Sequence, residues 1–327
     1  MPVKVGLVGA GGMGRRHLDV LARDPRVRIV GVADTVEAAA QSTAQAFGAR
    51  PCRSLSELAD LKPDAVYVTL PNRYHGAVVL EALDRGLHVF SEKPMATTME
   101  EARRVAARVR RAGRVYQMGF NRRFAPAYRF LRGEIAAGFI PYSAHAKITD
   151  GDMLTPSWYI DPALTGGFLY DCAVHMIDLV GWLVGPIRQV AARGRRSCYP
   201  DQDDIVLMLW CEGDRPAALT TCGHASWAKP TERVELFGDH ALLVSEDMDR
   251  ARHATREAPE PAWRQFASPD DVTAQGYVDE DRAFIDACLG EAPPPVTVDD
   301  AFASIAAIDA AYISLRGGGR PESVLQE

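Results

Sequence analysis

Three groups of residues in this chain have the types and spacing to do chemistry. The first is Gly9-Ala10-Gly11-Gly12-Met13-Gly14, with Asp34 lying 20 residues beyond Gly14. Gly9 suits a tight turn, Gly11 lets the backbone approach a pyrophosphate, and Gly14 lets a helix pack close to a strand. The free N–H groups at the start of that helix bind an anion, and an acid at the position of Asp34 accepts hydrogen bonds from a ribose diol. The second group is Glu92-Lys93-Pro94. An ammonium beside a substrate oxygen donates a hydrogen bond and stabilises a developing alkoxide. The third is Asp171 and His175, four residues apart and so on one face of a helix. Imidazole titrates near neutral pH and is suited to pass a proton.

These residues need elements to position them. The first 120 residues read as alternating strands and helices. Strands are predicted at 3–8, 27–33, 64–69, 87–90 and 115–118, with a short one near Arg50–Arg53. Helices are predicted near 13–23, 35–46, 74–85 and 98–112. Thr97 followed by Glu100 forms a capping box, and Gly113 sits where a C-cap belongs. Such alternation implies a parallel sheet, and Lys93 then lies at the C-terminal end of a strand, where open α/β sheets bind ligands. After about residue 125 the pattern turns to successive strands separated by short turns, the signature of an open, mostly antiparallel sheet. One helix interrupts near Asp171–Val184, and two follow near 277–289 and 299–315. The expected division is a Rossmann dinucleotide-binding domain over 1–122 and an α+β domain over 123–327, with the last helix returning to the first domain.

Composition narrows the function classes. The chain has 327 residues, 47% hydrophobic and 24% charged, with a formal net charge of −6. That balance gives no electrostatic reason to expect nucleic acid or an anionic membrane as partner. The arginines at 103, 104, 108, 110 and 111 lie on a predicted helix and read as its solvated face. No stretch approaches the roughly 18 apolar residues of a membrane span, and no signal peptide is visible. Cys52, Cys172, Cys198, Cys211, Cys222 and Cys288 include no CxxC pair, so they read as reduced thiols of a cytoplasmic protein with no metal site.

Two further segments join the glycine turn and Glu92-Lys93-Pro94. They are Pro71-Asn72-Arg73-Tyr74-His75 and Gly166-Gly167-Phe168-Leu169-Tyr170-Asp171-Cys172-Ala173-Val174-His175. In this order and at these spacings the set resembles the glucose–fructose oxidoreductase, inositol dehydrogenase and rhizopine catabolism (Gfo/Idh/MocA) family, on its inositol dehydrogenase-like branch. The resemblance covers essentially the whole chain. It implies an NAD(P)-dependent dehydrogenase acting on the CH–OH group of a cyclitol, polyol or sugar; Asp34, followed by Thr35 rather than an arginine or lysine, suits a ribose diol and repels a 2′-phosphate, so NAD is expected over NADP. The resemblance implies Lys93, Asp171 and His175 as the catalytic cluster. It puts Gly9, Gly11, Gly12, Met13, Asp34, Asn72, His75, Glu92 and Lys93 at the cofactor, and Arg123, Asp152, Trp158 and Tyr159 at the substrate. It also implies a cis Lys93–Pro94 bond. His75 equally suits the first turn of the following helix, and one of Arg122 and Arg123 is a packing arginine. The same fold carries NAD-dependent glycosidases and non-catalytic ligand sensors. The sensors usually lose the lysine or histidine that this chain keeps.

Ile205, Leu207 and Leu209 alternate with Val206, Met208 and Trp210, so both faces of that strand are apolar. Helices cover one face of such a sheet, and the other marks an interface. A homo-oligomer is expected, a dimer at least and a tetramer as a further possibility.

Overall fold

A computed structural model describes residues 1–150, 157–197, 199–225, 231–266 and 271–325. Asp152 and Cys198, both singled out above, lie outside the described residues. By contacts the chain divides into two units: Met1–Phe120 with Tyr277–Phe302, and Asn121–Gly276 with Ala303–Glu327.

In the first unit, β1 (Val3–Val8), β2 (Val27–Ala33), β3 (Arg50–Cys52), β4 (Ala65–Val68), β5 (His88–Glu92) and β6 (Tyr116–Gly119) form one sheet. Its order is β3-β2-β1-β4-β5-β6, and every pairing is parallel. This is the Rossmann order, with its switch point between β1 and β4. Helices α1 (Gly12–Leu21), α2 (Glu37–Ala46), α3 (Leu55–Ala59), α4 (His75–Asp84) and α5 (Met99–Ala112) lie between the strands. All four residues of β4 are buried, as expected of a strand covered on both faces.

Two local expectations change. The α5 cap is Thr98, whose hydroxyl accepts from the Glu101 N–H at 3.2 Å, rather than Thr97 with Glu100. Both pairs have capping-box spacing, and the helix takes the register that buries Met99, Ala102, Val105 and Ala106. Gly113 closes it in a left-handed conformation, as expected. α3 was not anticipated, because five residues are too few to show a period, although Ser54 caps it through the Glu57 N–H.

The second unit contains α6 (Pro126–Ala136), β7 (Ser143–Thr149), α7 (Pro162–Thr165) and α8 (Val174–Leu183). The strands β8 (Ile187–Arg195), β9 (Asp204–Cys211), β10 (Arg215–Cys222), β11 (Thr231–Gly238), β12 (Ala241–Glu246), β13 (Arg250–Ala254) and β14 (Arg264–Gln265) follow, then α9 (Asp271–Ala274). The chain ends through α10 (Tyr277–Cys288), α11 (Val298–Arg316) and β15 (Glu322–Ser323). The second sheet runs β14-β13-β12-β11-β7-β10-β9-β8-β15 and is antiparallel except between β7 and β10. α8 packs on β7 and β10, and α6 on β12 and β13. On β9, Ile205, Leu207 and Leu209 are buried, while Val206 and Met208 are 50% and 54% exposed.

The contact boundaries differ from the 122/123 division. The segment returning to the first unit is Tyr277–Phe302, which contains α10, and the rest of the chain from Ala303 groups with the second unit. Phe284 explains the return: it meets Tyr67 and Phe90 edge-on at 5.3 and 5.6 Å between ring centroids. Burying one such ring stabilises by about 1.5–3 kcal/mol. A contact so distant in sequence leaves no local trace.

The expectation about membrane spans also needs correction. Pro162–Leu183 is long and apolar enough to cross a bilayer by length and composition, yet 78% of that window is buried inside the protein. Gly166 and Gly167, both at positive φ, interrupt it. It is a mostly buried core segment that carries Asp171, His175 and Asp178 within an otherwise apolar run.

Candidate functional site

The first unit assembles the cofactor candidates at the C-terminal ends of β1, β2, β4 and β5. Gly9 has φ +103°, and a Cβ there would strike the Thr69 carbonyl oxygen. A Cβ on Gly14 would strike the Gly9 carbonyl oxygen, so helix and turn touch only because neither has a side chain. Thr69 Oγ1 donates to that same Gly9 oxygen at 2.7 Å, and Gly9 N–H donates to Ala33 O at 2.9 Å. The turn is thereby pinned to β2 and β4.

Gly11 caps α1 without any side-chain hydrogen bond, and a Cβ on Gly11 or Gly12 would meet open space. The first N–H groups of α1 thus face a cradle with no side chain in it, which fits a pyrophosphate. Met13 is half-buried in the first turn of α1. Asp34 Oδ2 accepts from Ala10 N–H and Oδ1 from Val36 N–H, both at 2.8 Å, which sets the carboxylate beside the turn. Arg15 Nε reaches Thr43 Oγ1 at 3.0 Å, and Arg16 lies over the Tyr277 ring.

Asn72 is buried in a 3₁₀ turn, Asn72–Tyr74, just after β4. Two other cofactor candidates have protein partners. His75 Nδ1 lies 2.7 Å from Pro94 O and Nε2 lies 2.6 Å from Leu70 O. Both ring nitrogens lie against main-chain carbonyls, one of them as donor, and this ties His75 to the turn after Lys93. Burial lowers its pKa, against the opposing pull of those carbonyls. Glu92 is buried, with Oε1 on His17 Nε2 at 3.1 Å and Oε2 on the Lys93 N–H at 3.1 Å. Its carboxylate thus links α1 to the backbone of Lys93. Lys93 is half-buried, and the Lys93–Pro94 bond is cis, as the resemblance implied.

The second unit holds the other chemistry-bearing motif. Leu169–Ala173 forms a π-type turn that leads into α8. Asp171 lies in that wider turn, half-buried, and His175 in the first turn of α8, 8% exposed. The sequence reading assumed one regular α-helix here. π-turns of this kind recur at functional sites, because they re-aim side chains within a helix.

The motif is anchored by residues that the sequence reading passed over. Asp201 Oδ2 accepts from the Phe168 N–H and from the Tyr312 hydroxyl, each at 2.9 Å. The Leu169 N–H donates to the Tyr312 hydroxyl at 3.2 Å. Gly167 has φ +112°, and a Cβ there would collide with the Tyr312 hydroxyl.

Arg123, expected at the substrate, is 9% exposed and forks onto Asp178 Oδ2 and Oδ1 at 2.8 and 2.6 Å. Its guanidinium also lies 5.7 Å from the Trp182 ring centroid. This is a buried bidentate pair that ties the start of the unit to α8. Arg122 pairs with buried Glu232. Trp158 and Tyr159 are half-buried in a 3₁₀ turn, Ser157–Ile160, with their rings 4.3 Å apart.

The sequence carried one overlooked signal in the first unit. His17 shares the buried face of α1 with Gly14, Leu18 and Leu21. A titratable side chain on an apolar helix face needs a partner.

Comparison with known proteins identifies the family. Residues 3–120 match the GFO_IDH_MocA model, an oxidoreductase family with an NAD-binding Rossmann fold. Residues 128–244 match the GFO/IDH/MocA C-terminal domain. The chain is 34% identical to inositol 2-dehydrogenase 3 of Saccharopolyspora erythraea over 85% of each protein. It is 26% identical to inositol 2-dehydrogenase of Rhizobium meliloti, over 96% of this chain and 97% of that one. The structure of GenD2 from gentamicin A biosynthesis, in complex with NAD, superposes with a TM-score of 0.86 at 28% identity. It covers 99% of this chain and 97% of its own.

Proposed function

Because this chain belongs to the GFO/IDH/MocA oxidoreductase family, we propose that it is an NAD-dependent dehydrogenase of cyclitols. It interconverts a secondary alcohol and a ketone on an inositol-like ring, with sugars as the neighbouring substrate class. One observation carries the reading: the glycine turn hydrogen-bonds to Asp34 in front of an uncapped α1, on the Rossmann sheet of this family. The substrate class draws support from the relatives named inositol 2-dehydrogenase.

Bound NAD supplies a hydride acceptor at its nicotinamide ring. The N–H groups of Gly11, Gly12 and Met13 hold the pyrophosphate, and Asp34 holds the ribose diol of the adenosine half. Asn72 lines the cofactor side of the turn after β4. Lys93 donates a hydrogen bond to the reacting oxygen and stabilises alkoxide as it forms. His175 takes the hydroxyl proton, and Asp171 binds a substrate hydroxyl. Trp158, Tyr159 and Asp152 belong to the substrate side.

The reading includes self-association through the open face of the second sheet, at Val206 and Met208 of β9. It also includes a cytoplasmic setting, in which thiols such as Cys52 and Cys211 stay reduced.

The test is a dehydrogenase screen with NAD and NADP across inositols, aldoses, amino sugars and sugar phosphates, following reduced nicotinamide. Steady production of NADH with an inositol isomer is the expected result. No turnover of any polyol or sugar would remove the reading.

A further inference from the structure

His17 takes no part in the chemistry above, yet it is a fully enclosed ionisable group of the first unit. It is 0% exposed, one turn into the helix that follows the glycine turn. Nδ1 lies 2.8 Å from Asp281 Oδ1 on α10, and Nε2 lies 3.1 Å from Glu92 Oε1 at the end of β5. The rings of Tyr67, Phe90 and Tyr277 surround it, with centroids 5.3, 4.9 and 5.7 Å away.

Both ring nitrogens therefore face carboxylate oxygens. A neutral imidazole has one N–H and one lone pair, and the lone pair would oppose an oxygen. The doubly protonated ring donates to both. Burial by itself lowers the His17 pKa, but Asp281 and then Glu92 outweigh it and push it up to about 10. For Glu92, burial raises the pKa, and the His17 hydrogen bond and charge, with the Lys93 charge, bring it below the usual range.

What gives this network a direction is the other end of Glu92. Its Oε2 accepts the backbone N–H of Lys93 at 3.1 Å. On the far side of Lys93, Pro94 O meets His75 Nδ1 at 2.7 Å. The residues before and after Lys93 are each held by a buried histidine, one from α1 and one from α4.

We propose that His17, acting through Glu92, is a positioning residue that sets the backbone from which Lys93 reaches the reacting oxygen. The helix whose N-terminus holds the pyrophosphate is thereby tied to the strand end that presents the ammonium. The assay for this inference rests on the dehydrogenase reading, although the geometry does not. Without the imidazolium, buried Glu92 takes up a proton or turns to the neighbouring charge of Lys93. Either change misplaces the lysine.

The experiment compares wild type, His17→Met, His17→Gln, His17→Met with Glu92→Gln, and Lys93→Ala. It measures kcat, KM, the pH profile of kcat, NAD affinity by fluorescence and the melting temperature. A catalytic group displaced by about 1 Å costs up to 10²-fold, so His17→Met is expected to lower kcat by about 10- to 100-fold. NAD affinity and substrate KM should change by less than about threefold, since the uniform binding contacts stay. The pH profile of kcat should shift, and Glu92→Gln should restore part of the loss by removing the stray charge.

If His17→Met does not fold, His17→Gln is judged by the same kcat, KM and pH criteria. Wild-type kcat in a folded His17 variant, with Lys93→Ala inactive, overturns the inference and leaves the functional reading intact. So does a loss of activity that only follows the folded fraction, with an unmoved pH profile and no gain from Glu92→Gln. Full turnover by Lys93→Ala overturns the functional reading of Lys93, and the inference with it.

Discussion

The carboxylate of Asp34 accepts a 2.8 Å hydrogen bond from the backbone N–H of Ala10. The acid that closes β2 and the glycine turn that follows β1 are thus one unit before any nucleotide arrives. On the proposed reading this arrangement is what favours NAD over NADP. A carboxylate accepts from ribose hydroxyls and repels a 2′-phosphate by about 1–4 kcal/mol at contact range. Catalytic efficiency should favour NAD over NADP by at least about tenfold, and Asp34→Ser should erase most of that preference. Equal efficiency in the wild-type enzyme would sink the claim.

Turnover should depend on residues of both motifs. Lys93→Ala and His175→Ala are each expected to lower kcat by about 10²-fold or more, the usual scale of acid–base and electrostatic contributions. NAD binding, followed by fluorescence, should survive in both. A variant with wild-type turnover on the true substrate removes that residue from the chemistry.

Gly167 offers a test of the anchoring of the second motif. Alanine there needs a φ of +112° and space already filled by the Tyr312 hydroxyl. Strain of this kind costs about 1–3 kcal/mol. Tyr312→Phe deletes the hydroxyl that Asp201 and the Leu169 N–H use, at about 1 kcal/mol per lost hydrogen bond. Chemical denaturation should show both losses, and Tyr312→Phe should lessen the penalty of Gly167→Ala when the two are combined. Strict additivity would show that the hydroxyl is not the obstacle.

Stability should carry the signature of His17 at alkaline pH. The carboxylates of Asp281 and Glu92 push its folded pKa up to about 10, above the ordinary imidazole value of 6.5. A raised pKa means that the folded state holds the proton more tightly. The stabilisation is fully present below about pH 6.5 and is lost as pH rises towards 10. The groups facing the ring are Asp281, Glu92 and Tyr67, and Lys93 lies beside Glu92. Unfolding free energy measured across this window should fall in the wild type and flatten in His17→Gln. The same slope in both would mean that His17 is not charged in the folded protein.

The open sheet face should mediate assembly. Val206 and Met208 are half or more exposed on a strand whose other face is core. Light scattering should give at least twice 35.7 kDa, and glutamate at both positions should return the mass towards one chain. A wild-type mass near 35.7 kDa at micromolar concentration would contradict the proposal.

Much of this protein was legible in the order of its residues. The glycine turn, the strand–helix alternation and Asp34 define a Rossmann unit because each part acts on its immediate neighbours. Strand alternation likewise announced the second sheet, and β9 shows the expected buried and open faces. Tertiary structure alone decided which protein groups the buried polar side chains meet. For His75, Glu92 and Arg123 only their types and places in motifs were visible in the sequence, and their protein partners were not. Their partners are Pro94, His17 and Asp178, as far as 75 residues away. His17 and Asp281 are 264 residues apart, and their pairing depends on α10 folding back to bury Phe284. Local pattern encodes what the backbone does within a turn or a strand. The protonation and purpose of a buried charge depend on which distant group the fold brings within hydrogen-bond reach.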